Sequence, residues 1–214
     1  MSPGKRAFDL VVASVGLVLA APVLCVVAIA VRAEDGGPVF YRQQRIGRGG
    51  RPFRIWKFRS MRPAAPTTAG LPLTVGRDPR VTRVGRLLRR WRLDELPQLF
   101  NVLAGEMSLV GPRPEVPRYV AHYTPEQRRV LELVPGVTDP AAIAGRDESD
   151  LLAAAADPEA VYLRELLPRK VALQRAYAED ATRWSDLRVL AATLRAVFGP
   201  AARSTTREPA RRVS

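Results

Sequence analysis

The feature that most constrains this chain is an uncharged apolar run of 22 residues, 10–31, close to its N-terminus. A helix of this length crosses the hydrocarbon core of a bilayer, so a membrane anchor is the first expectation. Three arrangements fit the run: a helix that crosses once, a signal peptide, or a re-entrant helical hairpin that enters and leaves by the same face. The signal peptide fits least well, because its apolar core usually has only about 7–15 residues.

Pro22 and the flanking charges bear on the choice between crossing and re-entry. Pro22 lies near the middle of the run and predicts two helical segments with a bend between them, because proline lacks the N–H that an uninterrupted helix needs. Lys5 and Arg6 precede the run, and nine lysines and arginines follow it up to Arg62. Basic flanks favour the cytoplasmic side. Re-entry would keep both flanks there, whereas a crossing helix would export one of them.

The charge of the chain points to an anionic partner. Lys plus Arg is 34 and Asp plus Glu is 21, which gives a net charge of +13, and only three of the 34 basic residues are lysines. Arginine binds phosphate and carboxylate through a planar fork of donors. Nucleic acid, acidic lipid and a phosphorylated substrate all remain open on this ground. The single cysteine, Cys25, excludes an internal disulfide framework and a zinc site built from cysteines.

The rest of the chain predicts a mainly α fold with one small β-hairpin. Two runs of aromatic and β-branched residues flank glycines within 39–59, which is typical of antiparallel strands joined by a tight turn. Residues 81–91 place apolar side chains at helical spacing with arginines between them, so this helix presents a basic face to anionic headgroups or to solvent. Further helices are predicted in three segments: 147–156, 158–177 and 186–198.

Segments rich in proline and small residues divide these elements. Residues 63–77 predict a surface loop, and the three prolines of 109–118 predict a rigid extended loop that presents Arg113. The expected organisation has three parts: a membrane anchor at 1–36, a compact domain at 37–198 and a disordered basic tail at 199–214.

Asp94 and Glu95 are the candidate catalytic residues. They lie just ahead of Pro97, which is a favourable first residue of a helix, and a helix N-terminus can host both carboxylates and phosphates. Two adjacent carboxylates can divide the chemistry: one attacks an electrophile or holds a divalent cation, and the other accepts a proton or orients the first. An acidic pair alone is a weak motif. Its position in an arginine-rich chain makes phosphoryl transfer the reaction that it would serve.

Five ordered strings carry a resemblance to a known family: KFRSM at 57–61, DPRVTRVG at 78–85, LDELPQLFN at 93–101, GEMSLVGPRP at 105–114 and PGVT at 135–138. Over about 4–198 the chain resembles the bacterial sugar transferases, monotopic phosphoglycosyl transferases that begin capsule, exopolysaccharide and glycoprotein assembly. The resemblance implies transfer of a phospho-sugar from a UDP-sugar to undecaprenyl phosphate, with Mg²⁺ and release of UMP. It also implies a re-entrant N-terminal hairpin and a catalytic domain on the cytoplasmic face of the bacterial inner membrane.

The resemblance assigns roles to individual residues. Asp94 matches the nucleophile that forms a covalent phospho-sugar intermediate and would contact Mg²⁺, and Glu95 matches its partner. Lys57, Arg59 and Arg113 fall on positions that bind substrate phosphates or order the site. Since one phosphoryl transfer needs its charges aimed at one point, we predict that Lys57 and Arg113 share a pocket with Asp94.

Two positions depart from the family pattern, and one function other than an enzyme has to be weighed. Asp139 stands where the family has glycine, and Gln174 stands where Asp or Asn is usual, so the sugar is left open. The alternative to an enzyme is a membrane-anchored, arginine-rich nucleic-acid-binding protein, which would leave Asp94 and Glu95 without a role. With the resemblance, membrane lipids are expected as partners and nucleic acid is not.

Overall fold

The computed structural model describes residues 1–62, 73, 78–145 and 148–198. The described part is mainly helical, as predicted, and contains two sheets of two strands each. The α-helices are α1 (Pro3–Asp35), α2 (Arg83–Arg90), α3 (Gln98–Ala104), α4 (Pro117–Val120), α5 (Pro125–Arg128), α6 (Pro140–Ala144), α7 (Glu148–Ala153), α8 (Pro158–Val161), α9 (Leu167–Glu179) and α10 (Arg183–Phe198). The strands are β1 (Phe40–Ile46), β2 (Pro52–Phe58), β3 (Ser108–Val110) and β4 (Gly136–Thr138). The predicted loop at 63–77, except residue 73, and the predicted tail lie outside the described residues.

The apolar run forms most of α1, a helix of 33 residues. The side chain of Ser2 caps its first turn by accepting from the N–H of Lys5, and Gly36 ends it in a left-handed conformation with φ 70°. Pro22 lies inside the helix, so the run is one helix and not the two segments that were predicted. Within the described residues, α1 is the one helix long and apolar enough to cross a membrane.

One face of α1 is apolar and open, and the other packs on the globular part. The first half of the packed face places the fully buried Ala13 in a core with Val102 and Met107. The second half places Val27 and Val31 beside Phe58 and Leu88. The exposed apolar residues of the open face are Val11, Val15, Val18, Leu19, Val23, Val26 and Ile29. A continuous apolar surface of this kind favours burial in lipid or against a partner.

A buried polar cluster also ties α1 to the rest of the chain. The carboxylate of Asp9 is fully buried and accepts from the Nζ of Lys5 and, at 2.7 Å, from the Oγ of Ser108 in β3. The Nζ of Lys5 lies 2.9 Å from the carboxylate of Asp186 in α10, which in turn accepts from the hydroxyl of Tyr177. Buried charges are tolerated when they are paired in this way, and the cluster joins α1 to three distant elements, β3, α9 and α10.

The predicted β-hairpin is confirmed. β1 and β2 pair antiparallel from Phe40 opposite Phe58 to Ile46 opposite Pro52. The turn between them contains Gly49 and Gly50, both with positive φ, which glycine adopts without steric cost.

The second sheet was not predicted. β3 and β4 form a parallel pair in which Ser108 lies opposite Gly136 and Val110 opposite Thr138. Three-residue strands carry no readable alternation, and the prolines on both sides of them favoured a loop. The predicted helix over 158–177 is also more complex, because a π-helical segment, Tyr162–Leu166, joins α8 to α9. Pro168 lies just beyond it and supplies no N–H, which is one cause of such a local widening.

Candidate active site

Asp94 and Glu95 lie in a short 3₁₀ turn, Leu93–Glu95, between α2 and α3. The turn follows Arg92, whose φ of 51° makes it the one non-glycine residue with positive φ in the described part of the chain. A left-handed residue of this kind costs about 1–2 kcal/mol and reverses the chain sharply. Pro97 precedes α3 with helical backbone angles, in agreement with its predicted place at a helix start.

A cavity of about 1000 Å³ brings the acidic pair together with predicted basic residues. Lys57 reaches it from the end of β2, and Arg113 reaches it from the loop after β3. The prediction that Lys57 and Arg113 share a pocket with Asp94 is therefore confirmed. Other charged or polar residues along its wall are Asp78, Arg86, Arg89, Arg90, Arg92, Glu148, Ser149 and Lys170.

Glu95 is the anionic centre of this cavity. Its Oε1 lies 3.0 Å from the Nζ of Lys57 and also accepts from the guanidinium of Arg113, and its Oε2 lies 3.7 Å from Arg92. Burial by itself would raise the pKa of Glu95, but the charges of Arg113 and Lys57 outweigh it and hold that pKa well below its usual range. Glu95 is thus a fixed anion that aligns two cations.

Lys57 is affected in the opposite direction. Burial lowers the pKa of its ammonium group, and the charge of Glu95 limits that fall. The charge of Glu95 therefore favours the protonated form of Lys57 inside the cavity.

Asp94 differs from its neighbour. Its side chain is buried, and among the described residues no hydrogen bond or ion pair occupies its carboxylate. Burial raises the pKa of Asp94, and the adjacent charge of Glu95 raises it further, while Lys57 and Arg89 oppose both effects. Two neighbouring carboxylates whose pKa values are pushed apart are a common sign of divided roles. Asp94 is the more basic of the two and has lone pairs open to the cavity, which suits a nucleophile.

Arg113 is positioned by a residue whose role sequence reasoning missed. The backbone N–H of Arg113 donates to Oδ2 of Asp139 at 2.8 Å, and the same oxygen accepts from the side chain of Gln174 at 2.6 Å. Asp139 is fully buried, and its other oxygen caps α6 by accepting from the N–H of Ala142. The signal was present in the Asp139-Pro140 pair, since aspartate followed by proline is a frequent helix start.

Arg59 lies away from this cavity. Its guanidinium pairs with Asp35 at the end of α1, and its backbone N–H donates to the carbonyl of Val39 at 2.9 Å. The structure therefore brings together Lys57, Asp94, Glu95 and Arg113 but leaves the predicted substrate contact of Arg59 without support from the geometry. Conversely, three arginines of α2 line the cavity, Arg86, Arg89 and Arg90, although this basic face was interpreted as a membrane-binding or solvated surface.

The fit to Mg²⁺ rests on Asp94. No group of three or more His, Cys, Asp or Glu side chains that could cage a metal occurs in the residues described. Mg²⁺ in phosphate-binding sites usually takes one or two carboxylates, and substrate phosphates and water complete the shell. The open carboxylate of Asp94 fits that arrangement, whereas Glu95 is occupied by cations.

Comparison with known proteins relates the whole described fold to one group. The profile of the bacterial sugar transferase family matches residues 2–200. The UDP-glucose:undecaprenyl-phosphate glucose-1-phosphate transferase of Escherichia coli (strain K12) is 40% identical over 198 residues, which are 89% of this chain and 39% of that protein. The undecaprenyl-phosphate galactose phosphotransferase of Salmonella typhimurium is 35% identical over 208 residues, with 91% of this chain and 40% of that protein covered. The chain thus spans about two fifths of the length of these two relatives.

A shorter relative is covered more fully. The UDP-glucose:undecaprenyl-phosphate glucose-1-phosphate transferase of Caulobacter vibrioides is 38% identical over 196 residues, which are 89% of this chain and 68% of that protein. Together with the match over 2–200, this similarity means that the chain belongs to the bacterial sugar transferase family.

Proposed function

We propose that this protein transfers a sugar-1-phosphate from a UDP-sugar to undecaprenyl phosphate and releases UMP, as the first membrane step of exopolysaccharide, capsule or glycoconjugate synthesis. The observation that carries the proposal is the pair Asp94 and Glu95, in which an open carboxylate of raised pKa lies beside one that is neutralised by Lys57 and Arg113. Two relatives, a UDP-glucose:undecaprenyl-phosphate glucose-1-phosphate transferase and an undecaprenyl-phosphate galactose phosphotransferase, support the substrate classes.

The first step is an attack by a carboxylate oxygen of Asp94 on the β-phosphorus of the UDP-sugar. A new O–P bond forms, the bond to the bridging oxygen breaks, and its electron pair leaves with UMP. The product is an acyl phosphate that links Asp94 to the phospho-sugar. Lys57 and Arg113 lie where they would offset the charge on the phosphate oxygens in the transition state.

The second step uses the same site. A phosphate oxygen of undecaprenyl phosphate attacks the phosphorus of the acyl phosphate, and the carboxylate of Asp94 departs with the electron pair of the broken bond. Glu95 keeps Lys57 and Arg113 aligned for the incoming phosphate throughout. Asp94 is the residue that would hold Mg²⁺, which supplies further charge neutralisation to the phosphates.

Formation of an adduct without acceptor tests this scheme. We expect one equivalent of labelled UDP-sugar to leave one phospho-sugar on the protein, seen by intact mass, with release of one equivalent of UMP. Asp94→Asn keeps the shape of the side chain and should lose both signals, whereas Asp180→Asn, at an exposed position after α9, should keep them. UMP release that requires acceptor, in an active preparation without adduct, would contradict the role of Asp94.

We also propose that α1 bends at Pro22 within its continuous helix and re-enters, so that both its ends lie on the cytoplasmic face of the bacterial inner membrane. The supporting contacts are at both ends of the helix. Arg6 donates to the carbonyl oxygens of Val102 and Leu103 in α3, and the carboxylate of Glu34 accepts from the N–H of Arg83 at the start of α2. Contacts of one globular part with both ends of α1 support a topology in which both ends lie on the same side of the bilayer.

Labelling with a membrane-impermeant maleimide tests this topology. Gly4→Cys and Arg51→Cys, each in a Cys25→Ser background, place one thiol in the first turn of α1 and one in the turn of the hairpin. Both thiols should react only when the cytoplasmic face is accessible. Reaction from opposite faces would indicate a crossing helix.

A further inference from the structure

A second, apolar groove opens beside the catalytic cavity. It has a volume of about 170 Å³. Its apolar lining includes Leu96, Leu99 and Ile143, together with Leu194 and Val197 of α10. The mechanism proposed above uses none of these five side chains. An apolar groove next to a phosphate-binding cavity suits a ligand with a charged head and a hydrocarbon tail.

The groove lies next to the catalytic cavity, and the two share part of their walls. Arg92, Glu95 and Ala142 line both of them. The guanidinium of Arg92 lies at this junction, 3.7 Å from Oε2 of Glu95 and 3.4 Å from the carbonyl oxygen of Ala142. A phosphate in the cavity near Arg92 would therefore have the groove directly available for its ester-linked chain.

Two wall residues of the groove, Leu99 and Ile143, also pack against the membrane anchor. A Cβ atom on Gly16, in the middle of the apolar run of α1, would lie 3.6 Å from Cδ1 of Leu99. Leu99 and Ile143 pack in the same cluster as Phe8 and Val12 of α1. The groove therefore lies close to the apolar anchor, with Leu99 in contact with both.

We propose that this groove binds the phosphate-proximal isoprenoid unit of the polyprenyl phosphate acceptor. The inference rests on the proposed function, and it adds a site for the lipid tail that directs the acceptor phosphate to Arg92 and Asp94. An apolar protein cavity of about 150 Å³ holds benzene, so the groove has room for about one five-carbon unit. The remaining units stay in the bilayer, and the groove accounts for recognition of the branched chain close to the phosphate.

Filling the groove separates binding of the acceptor from the first chemical step. Ala196 lines the groove on α10, so Ala196→Trp should occupy it, while Arg195→Trp places the same bulk one position away on an exposed site outside the groove. We expect Ala196→Trp to form the adduct and release UMP from UDP-sugar within twofold of the wild type. Its KM for undecaprenyl phosphate should rise at least tenfold, and Arg195→Trp should change neither quantity.

Two results would overturn the proposal. One is an Ala196→Trp variant with an unchanged KM for the acceptor. The other is a wild-type enzyme that uses farnesyl phosphate and an unbranched alkyl phosphate of similar length equally well. The groove would then not distinguish an isoprenoid chain from any other hydrocarbon chain. If Ala196→Trp does not fold, Leu194→Asn at the exposed rim provides the same comparison.

A direct binding measurement keeps this proposal separate from the proposed function. A photoreactive farnesyl phosphate should label peptides from 93–99 and 193–197 in the wild type, and Ala196→Trp should lose that labelling. If the wild type is labelled at these peptides, Ala196→Trp is not, and the wild type forms no adduct with UDP-sugar, the lipid-binding groove is supported and the covalent mechanism is refuted. Labelling elsewhere, or labelling that Ala196→Trp retains, would refute the groove.

Discussion

Replacement of Glu95 by glutamine is the sharpest test of the electrostatics of the site. Glu95→Gln keeps the volume of the side chain and removes the anion that Lys57 and Arg113 share. At the 3.0 Å separation of Glu95 and Lys57, Coulomb attraction in an effective dielectric of about 20 is about 5 kcal/mol before desolvation is subtracted. Removal of one partner from a buried pair costs about 3–5 kcal/mol.

The lower end of that range is expected here, because the side chains of Glu95 and Lys57 remain 13% and 16% exposed. A loss of about 3 kcal/mol in a protein of this size lowers Tm by about 6–12 °C. The measurement is thermal unfolding followed by circular dichroism in nanodiscs, with the exposed Glu132→Gln as the matched control. A Tm of Glu95→Gln within 2 °C of the wild type would refute the assignment of Glu95 as the shared counter-ion.

The pH dependence of this loss provides a second check. Burial lowers the pKa of Lys57, and Glu95→Gln removes the charge that limits the fall. A lysine whose folded-state pKa is depressed penalises folding below that pKa, and the penalty disappears as pH rises towards the unfolded value of about 10.4. The destabilisation by Glu95→Gln should therefore shrink at alkaline pH. It should not vanish, because Arg113 stays protonated.

Two further predictions concern the nucleophile and the packing beneath α2. Burial and the charge of Glu95 raise the pKa of Asp94, so the rate of adduct formation in single-turnover assays should fall at acidic pH, with a midpoint above the usual pKa of an aspartate. Glu95→Gln should move this midpoint to lower pH, because it removes one of the charges that raise the pKa of Asp94. A Cβ at Gly85 would lie 2.0 Å from the carbonyl oxygen of Ser60, so Gly85→Ala should cost about 1–3 kcal/mol and lower Tm, whereas Arg83→Ala on the exposed side of α2 should leave Tm unchanged.

Sequence patterns confined to one short segment correctly predicted the elements that fold from that segment alone. The length of the apolar run indicated α1, and the glycines between two β-branched runs indicated the hairpin of β1 and β2. Asp94, Glu95 and Arg113 were recognised because their motifs are contiguous in the sequence. We predicted that Arg113 shares one cavity with Asp94 because phosphoryl transfer needs the charged groups to surround one phosphorus atom.

Features created by contact between distant segments were not predicted. β3 and β4 are three residues each and acquire their structure from one another, so neither carries a pattern of its own. Asp139 accepts from the N–H of Arg113 and from Gln174, which are 26 and 35 residues away in sequence. Arg59 lies in a motif beside Lys57, but its guanidinium is directed to Asp35, and adjacency in sequence could not reveal that difference.

The position of Asp9 and Ala13 inside the globular part has a consequence for how this protein can be divided. Deletion of residues 1–36 would leave a cavity beside Val102 and Met107 and would remove the α1 partners of Ser108 and Asp186. A soluble catalytic fragment is therefore not obtained by trimming the N-terminus, and the anchor cannot be exchanged for an unrelated transmembrane helix. The membrane segment and the catalytic part therefore form one folding unit.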